Sequence, residues 1–198
     1  MAINRNKIIE DLSQIKVVGN KNGLIESFNV YVNQLPTTFW NGFAERLTMK
    51  APPDLLPSVE YLLVNAGQEC GYFTGNGIMT SEEWNAIVAP MVETPEDALA
   101  GAFAVLTAFG WAKSEIVELE PGKRMVVRAY DYYESDVVTM GVSSKKSAYM
   151  LRGICSAFMS LAYNGFSKDG SKIHDYKCTQ VKGIECGDAY GEFIVEKA

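Results

Sequence analysis

Four cysteines and a single histidine are the residues of this chain best suited to nucleophilic, redox or metal chemistry. Three of these five fall close together in "IHDYKCTQVKGIEC", as His174, Cys178 and Cys186, with Asp175 beside the histidine. Cys178 and Cys186 are eight positions apart. A zinc knuckle needs two close cysteine pairs, which this spacing does not supply. On one extended strand the two thiols would lie about 26 Å apart at ~3.3 Å per residue. A kink at "VKG" would bring them together, with His174 or Asp175 as further ligands; otherwise they are thiols on a half-buried strand, the reading that spacing favours. Because His174 stands alone, any Ser-His-Asp or Cys-His set must use it. On a strand Cys178 shares its face but sits ~13 Å away. No GxSxG, HExxH, P-loop or GxGxxG pattern occurs.

The other two thiols read as structural. Cys70, in "GQECGYF", falls near a predicted helix C-terminus, where the negative end of the dipole disfavours a thiolate. Cys155, in "GICSAFM", sits within an apolar stripe and is expected in the core. The glycines of "GYFTGNG" follow a helical pattern and read as a helix stop rather than a phosphate cradle. In "RAYDYYES", strand alternation places Arg128, Tyr130 and Tyr132 on one face, either a solvated sheet surface or the polar-tipped wall of a ligand site.

The elements that must position these groups follow from periodicity. Residues 5–15 form a short amphipathic helix, "NVYVNQ" alternates like a strand, and "TTFWNGFAERLTMKA" is a helix. Leu55, Val59, Leu62, Leu63 and Ala66 repeat at helical spacing until "GNG". "TSEEW" and "TPED" sign two helix starts, the second with Thr94 as cap, Pro95 at the first position and Asp97 at the third. The following "ALAGAFAVLTAFG" is apolar on nearly every side and must be covered completely. Alternation on both sides of "EPGK" predicts a β-hairpin. A long helix comes next, capped at Ser143 or Ser144, with Leu151, Ile154, Cys155, Phe158, Leu161 and Ala162 as its buried stripe. A second hairpin turning near "GDA" ends the chain. Together these predict an α+β fold, helices packed on an antiparallel sheet of two hairpins that flank the long helix.

Composition narrows the partners. The chain has 198 residues, 47% hydrophobic and 21% charged, with a net charge of −6 and no cluster of Lys or Arg. Nucleic acid and anionic membrane surfaces are excluded as partners by that balance. No apolar run reaches membrane-spanning length, and "MAINRNKIIEDL" lacks the h-region of a signal peptide, so a cytoplasmic protein with reduced thiols is expected. Neither a linker nor a repeat interrupts the sequence. Residues 1–198 read as one domain, with a helical part at 1–93 and a second part at 94–198.

Within that second part, "SAYMLRGICSAFM" followed by "CGDAYGEFIV" resembles the 4-vinyl reductase domain, over roughly residues 100–196. Such domains are similar in fold to the ligand-binding module of nitric-oxide sensors and of a TRAPP vesicle-tethering subunit. The resemblance implies binding of a small, mostly apolar molecule. Some members hold a structural zinc through three cysteines and a glutamate. In one register Asp175, Cys178 and Cys186 fall on that ligand pattern. In the other, "GDAYGEF" aligns with the closing turn, and Gln180, Gly183 and Gly191 take the ligand positions. In both registers Ser144 stands where the first cysteine ligand would lie, so the expectation is no metal and no other cofactor.

The functional expectation is therefore a small-molecule-binding protein, sensory or carrier in role. Its buried pocket is expected to take an apolar or aromatic compound. The expected lining is Phe103, Phe109, Trp111, Tyr130, Tyr132, Tyr149 and Phe158, with Arg128 as anchor for a carboxylate or phenol. The alternative is an enzyme acting on a small ring compound, with His174, Cys178 and Tyr176 meeting in a cleft. A homodimer is expected, because this kind of fold commonly pairs through helices and the apolar 95–109 segment needs cover.

Overall fold

The computed structural model describes residues 3–15, 17–33 and 35–198, with Thr139 and Met140 described through their backbone alone. The chain runs α1 (Arg5–Ser13), β1 (Ile25–Ser27), β2 (Val30–Val32), α2 (Thr37–Lys50), α3 (Leu56–Met79), α4 (Glu82–Ile87) and α5 (Pro95–Ala108). It continues as β3 (Ala112–Glu120), β4 (Arg124–Tyr132), α6 (Val137–Met140), α7 (Tyr149–Asn164), β5 (Tyr176–Lys182) and β6 (Gly191–Lys197). Strands β3 to β6 form one antiparallel sheet in the order β3-β4-β6-β5, with α7 linking its two hairpins. The fold class is α+β, as the sequence predicts.

The inner face of the sheet carries Met125, Val127, Ala129, Phe193 and Val195, which pack with Phe103 of α5 and with Leu151, Cys155 and Phe158 of α7. The opposite side of α5 packs Ala104 and Val105 against Ile8 and Leu12 of α1, Phe28, Trp84 and Val88. So α5 is covered within the chain itself. Its start is the predicted capping box, Thr94 and Asp97 exchanging side-chain and backbone hydrogen bonds.

Two local predictions change. The helix expected to stop at "GNG" continues through Gly71, Gly75 and Gly77 to Met79. A glycine inside a helix costs about 1 kcal/mol relative to alanine, and here neighbouring backbone requires it. A Cβ on Gly67 would sit 2.5 Å from the carbonyl oxygen of Met150, and one on Gly71 2.8 Å from the Cα of Ile154. Gly153 of α7 faces them, its absent Cβ being 2.2 Å from the amide nitrogen of Gln68. Glycines on both helices thus let α3 and α7 touch backbone to backbone.

The second change concerns α7, which begins at Tyr149 with Ala148 at the cap position and no side-chain cap of its own. Ser143 instead accepts from the amide of Lys145. The orphan amides of the helix start are satisfied by three other segments. Glu134 accepts from Met150 N and Leu151 N, each at 2.9 Å, and from the indole of Trp40 at 2.9 Å. Gln180 accepts from Ala148 N at 3.2 Å, while Glu185 accepts from Ser147 N at 2.9 Å. Glu185 also accepts from the Gln180 amide at 2.7 Å and from the hydroxyl of Tyr132. Side-chain oxygens thus satisfy the first amides of the helix, and this polar knot pins α7 to the end of β4 and to the last hairpin.

A pair of substitutions tests the close helix contact. Gly42 also lies inside a helix, but its added Cβ would meet only the tip of the Arg46 side chain, at 2.8 Å. Gly42→Ala should leave the thermal midpoint unchanged or raise it, through better helix propensity. Gly71→Ala should lower it by several degrees, because overpacking costs roughly 1–3 kcal/mol and each kcal/mol is about 2–4 °C at this size.

Glu134 gives a pH test. Burial lifts its carboxyl to about 7, against the pull of its three N–H donors. Between the ordinary carboxylate range and about 7 the folded chain therefore holds a proton that the unfolded chain has released. Stability from this group is full at low pH and falls as pH rises through that window. Relative to Glu134→Gln, the wild type should lose on the order of 2–4 kcal/mol between pH 4.5 and 8. Parallel stability profiles for the two proteins would show that Glu134 does not titrate in this window.

Candidate functional site

A cavity of ≈ 570 Å³ lies between the N-terminal segment and the helices α3, α5 and α7. One wall is Leu12, Ile15, Val17, Ser27, Phe28, Val30 and Val32, drawn from α1, the segment after it and the β1–β2 hairpin. The opposite wall is the Cys70, Gly71, Thr74, Gly75 and Ile78 face of α3, joined by Ile154 and Phe158 of α7. The end of α5 closes a third side with Val105, Ala108, Phe109 and the following Trp111. A volume of this order suits a ligand well above one ring in size.

The hairpin wall has a constrained tip. Phe28 and Asn29 both take positive φ, 54° and 58°, the signature of a two-residue type I′ turn. Phenylalanine rarely adopts this conformation. Burial of its ring compensates: Phe28 stands edge-on to Phe109 with centroids 4.7 Å apart. Gly77 is required beneath it, since a Cβ there would meet Val30 at 2.4 Å.

The aromatic residues read from the sequence separate into groups. Phe109, Trp111 and Phe158 line the cavity. Phe103 lies behind Phe158 with ring centroids 5.4 Å apart, fully buried in the core. Arg128 and Tyr130 stand on the outer sheet face, where Arg128 pairs with Glu192 at 2.8 Å and lies over the ring of Tyr190, and Tyr130 donates to Glu115. Tyr132 does not share that face. Lys113 pairs with Asp131 and Ser114 with Ala129, so Tyr130 is an extra residue in β4. This bulge turns Tyr132 inward. Its ring enters the core and its hydroxyl the Glu185 knot, burial and that carboxylate together holding the phenol firmly protonated. Tyr149 lines a separate polar cavity of ≈ 250 Å³, with Glu45, Glu134, Ser144, Lys145 and Glu185.

The thiols and the histidine are dispersed. Cys155 and Cys178 meet in the core, and burial with each other's company pushes the Cys155 thiol up. Cys186 sits in a short 3-10 turn after β5. Asp175 accepts from the Asn164 amide at 2.6 Å. The exposed His174 ring lies 3.3 Å from the side-chain oxygen of Gln68, and Tyr176 donates to the carbonyl of Gly122 at 2.8 Å. Neither described cavity takes in His174, Tyr176 or Cys178.

The alternative ligand positions Gln180, Gly183 and Gly191 do converge. A Cβ on Gly183 would lie 2.7 Å from the carboxyl carbon of Glu185 and 2.8 Å from the amide nitrogen of Gln180; one on Gly191 would lie 2.8 Å from the Tyr132 ring. The place is filled by a carboxylate, an amide and a phenol already bonded to one another. It offers zinc no thiolate and does not fit that ion. Among the described residues no group of three or more His, Cys, Asp and Glu is placed to hold a metal.

What the sequence reading missed is the N-terminal wall and the cavity face of α3. The one available signal was the run Gly67, Gly71, Gly75 at intervals of four, which marks a close helix crossing rather than a helix end. On this face the Cys70 thiol has Thr74 Oγ1 at 3.9 Å, and burial pushes its pKa up. Among the described residues no helix is long and apolar enough to cross a membrane.

No protein-family model and no curated protein sequence matches the chain. Several solved structures share its fold. The phenol-responsive sensory domain of the transcription activator PoxR, in a crystal structure with phenol, superposes with a TM-score of 0.72 at 13% identity, covering 100% of this chain and 92% of that one. A trafficking protein particle complex subunit 3 from Naegleria fowleri, covalently bound to palmitic acid, gives 0.55 at 11% identity, covering 82% of this chain and 92% of that one. The chain is similar in fold to a small-molecule sensory domain over its whole length.

Proposed function

We propose that the protein binds an apolar or aromatic small molecule in the cavity between its N-terminal segment and α3, α5 and α7, in a sensory or carrier role within the cytoplasm. The observation that carries this reading is the ≈ 570 Å³ cavity, apolar in most of its lining and walled by Phe28, Phe109, Trp111 and Phe158. The likeness in fold to a phenol-responsive sensory domain supports it. Residues 1–93 and 94–198 act as one unit in this reading, since the first part supplies two of the walls. A homodimer is part of the proposal, through the apolar residues left exposed on α2 and α3, among them Phe39, Phe43, Leu47, Leu62 and Phe73.

A second reading has one observation in its favour. The palmitic acid of the subunit-3 structure is covalently held, and Cys70 places a thiol on the cavity wall of this chain. An acyl chain transferred to that thiol from an acyl-coenzyme A thioester would release the coenzyme as its free thiol. Incubation with palmitoyl-coenzyme A would then add the acyl mass, and Cys70→Ser would not gain it.

The first reading is tested by a thermal-shift panel of neutral aromatic and aliphatic compounds. A ligand at 100 times its dissociation constant adds about 2.7 kcal/mol, a rise of roughly 5–10 °C at this size. At least one apolar compound should produce it, and Ala108→Phe, which fills the cavity, should abolish it. Arg128→Gln, on the outer sheet face, should leave it unchanged. No shift with any compound would overturn the reading. Light scattering should give twice the chain mass of 21.8 kDa; a monomer would remove the homodimer from the proposal.

A further inference from the structure

The cavity is apolar in most of its lining, and none of the described residues around it carries a charge. Lys16, between Ile15 and Val17, lies outside the described residues. A carboxylate or ammonium bound here would find no counter-ion among the described lining to offset its loss of water. An uncharged ligand fits this wall.

The polar atoms that do line the cavity are unusual in what they leave unbonded. Threonines in helices commonly return their hydroxyl to the carbonyl four residues back. Thr48 does so to Ala44 at 3.0 Å, Thr80 to Asn76 at 2.8 Å and Thr107 to Phe103 at 3.1 Å. Thr74, in the middle of α3 and on its cavity face, does not. Its hydroxyl has only the Cys70 sulfur, at 3.9 Å, a weak contact. On the hairpin wall the Ser27 hydroxyl is buried and has no hydrogen-bond partner at all. A buried hydroxyl without a partner costs about 1–3 kcal/mol, and Ser27 is such a group; the half-buried Thr74, on the cavity face and free of the helix backbone, is suited to a ligand that bonds to its hydroxyl.

We infer that the ligand is an uncharged apolar alcohol or phenol of more than one ring or an equivalent chain length, and that Thr74 on α3 is the anchor for its hydroxyl, with Ser27 as a second partner. This rests on the proposed function and specifies its ligand class. Thr74 accepts or donates the hydrogen bond while Phe109, Phe158 and Val105 hold the apolar body. The cavity therefore selects against the pure hydrocarbon, whose presence leaves Thr74 with its weak sulfur contact alone, and against the acid, whose charge has no counter-ion among the described lining.

The test uses three compounds of one skeleton, naphthalene, 2-naphthol and 2-naphthoate, with dissociation constants measured by Trp fluorescence at pH 7. The wild type should bind 2-naphthol about five- to tenfold more tightly than naphthalene, the range of one neutral hydrogen bond, and 2-naphthoate more weakly than either. Thr74→Val keeps the shape of the side chain and removes its hydroxyl; it should bring the naphthol-to-naphthalene ratio close to one with naphthalene affinity retained. Ser27→Ala should reduce the ratio by a smaller factor. A ratio unchanged in Thr74→Val, or tight binding of 2-naphthoate, overturns the inference while leaving a binding cavity in place. If none of the three compounds binds, the inference falls together with the reading on which it rests.

Discussion

The backbones of α3 and α7 meet across Gly67, Gly71 and Gly153 with no room for a single Cβ between them. Nearly everything else in the fold follows from that contact. It joins the N-terminal part to the long helix that crosses the sheet. It also allows a 24-residue helix to pass through glycines that would otherwise weaken it. The same stretch borders the cavity, where Cys70, Gly71, Thr74, Gly75 and Ile78 of α3 stand beside Ile154 and Phe158 of α7. The N-terminal hairpin and the end of α5 stand across the cavity from this helix pair.

A helix held this tightly must also be fixed along its axis, and α7 has no cap of its own. Its first amides are bonded by Glu134, Gln180 and Glu185. The arrangement stabilises the helix start but buries carboxyl groups, and burial raises the pKa of Glu134. The second, polar cavity opens onto the same carboxylates. The start and the middle of α7 thus differ in chemistry. Its start is hydrogen-bonded to carboxyl and amide groups; its middle, at Ile154 and Phe158, is apolar and borders the candidate ligand site.

Elements with strong local signals were legible in the sequence. The Thr94–Asp97 capping box, the "EPGK" hairpin and the apolar stripe of α7 depend on neighbours within a few residues. Three cavity residues, Phe109, Trp111 and Phe158, were also within reach, because aromatics beside a buried helix have few other places to go. What was not legible depends on distant chain. The glycines of α3 read as a stop because local propensity says so; α7, about 80 residues later, reverses that meaning. Strand alternation placed Arg128, Tyr130 and Tyr132 on one face, but a bulge adds one residue to β4 and reverses the side on which Tyr132 emerges. The cap of α7 escaped notice because its three hydrogen-bond acceptors, Glu134, Gln180 and Glu185, lie in other segments, and the N-terminal wall because β1 and β2 are three residues each.

An apolar compound bound as proposed would meet methyl groups on three sides of one cavity. A methyl NMR titration of the isotope-labelled protein with 2-naphthol tests this directly. Leu12, Ile15, Ile78, Val105 and Ile154 should shift together and saturate with one dissociation constant, while Val117 and Val181, which do not line the cavity, stay in place. Saturable shifts confined to the second cavity or to the outer sheet face, with those five methyls unmoved, would contradict it.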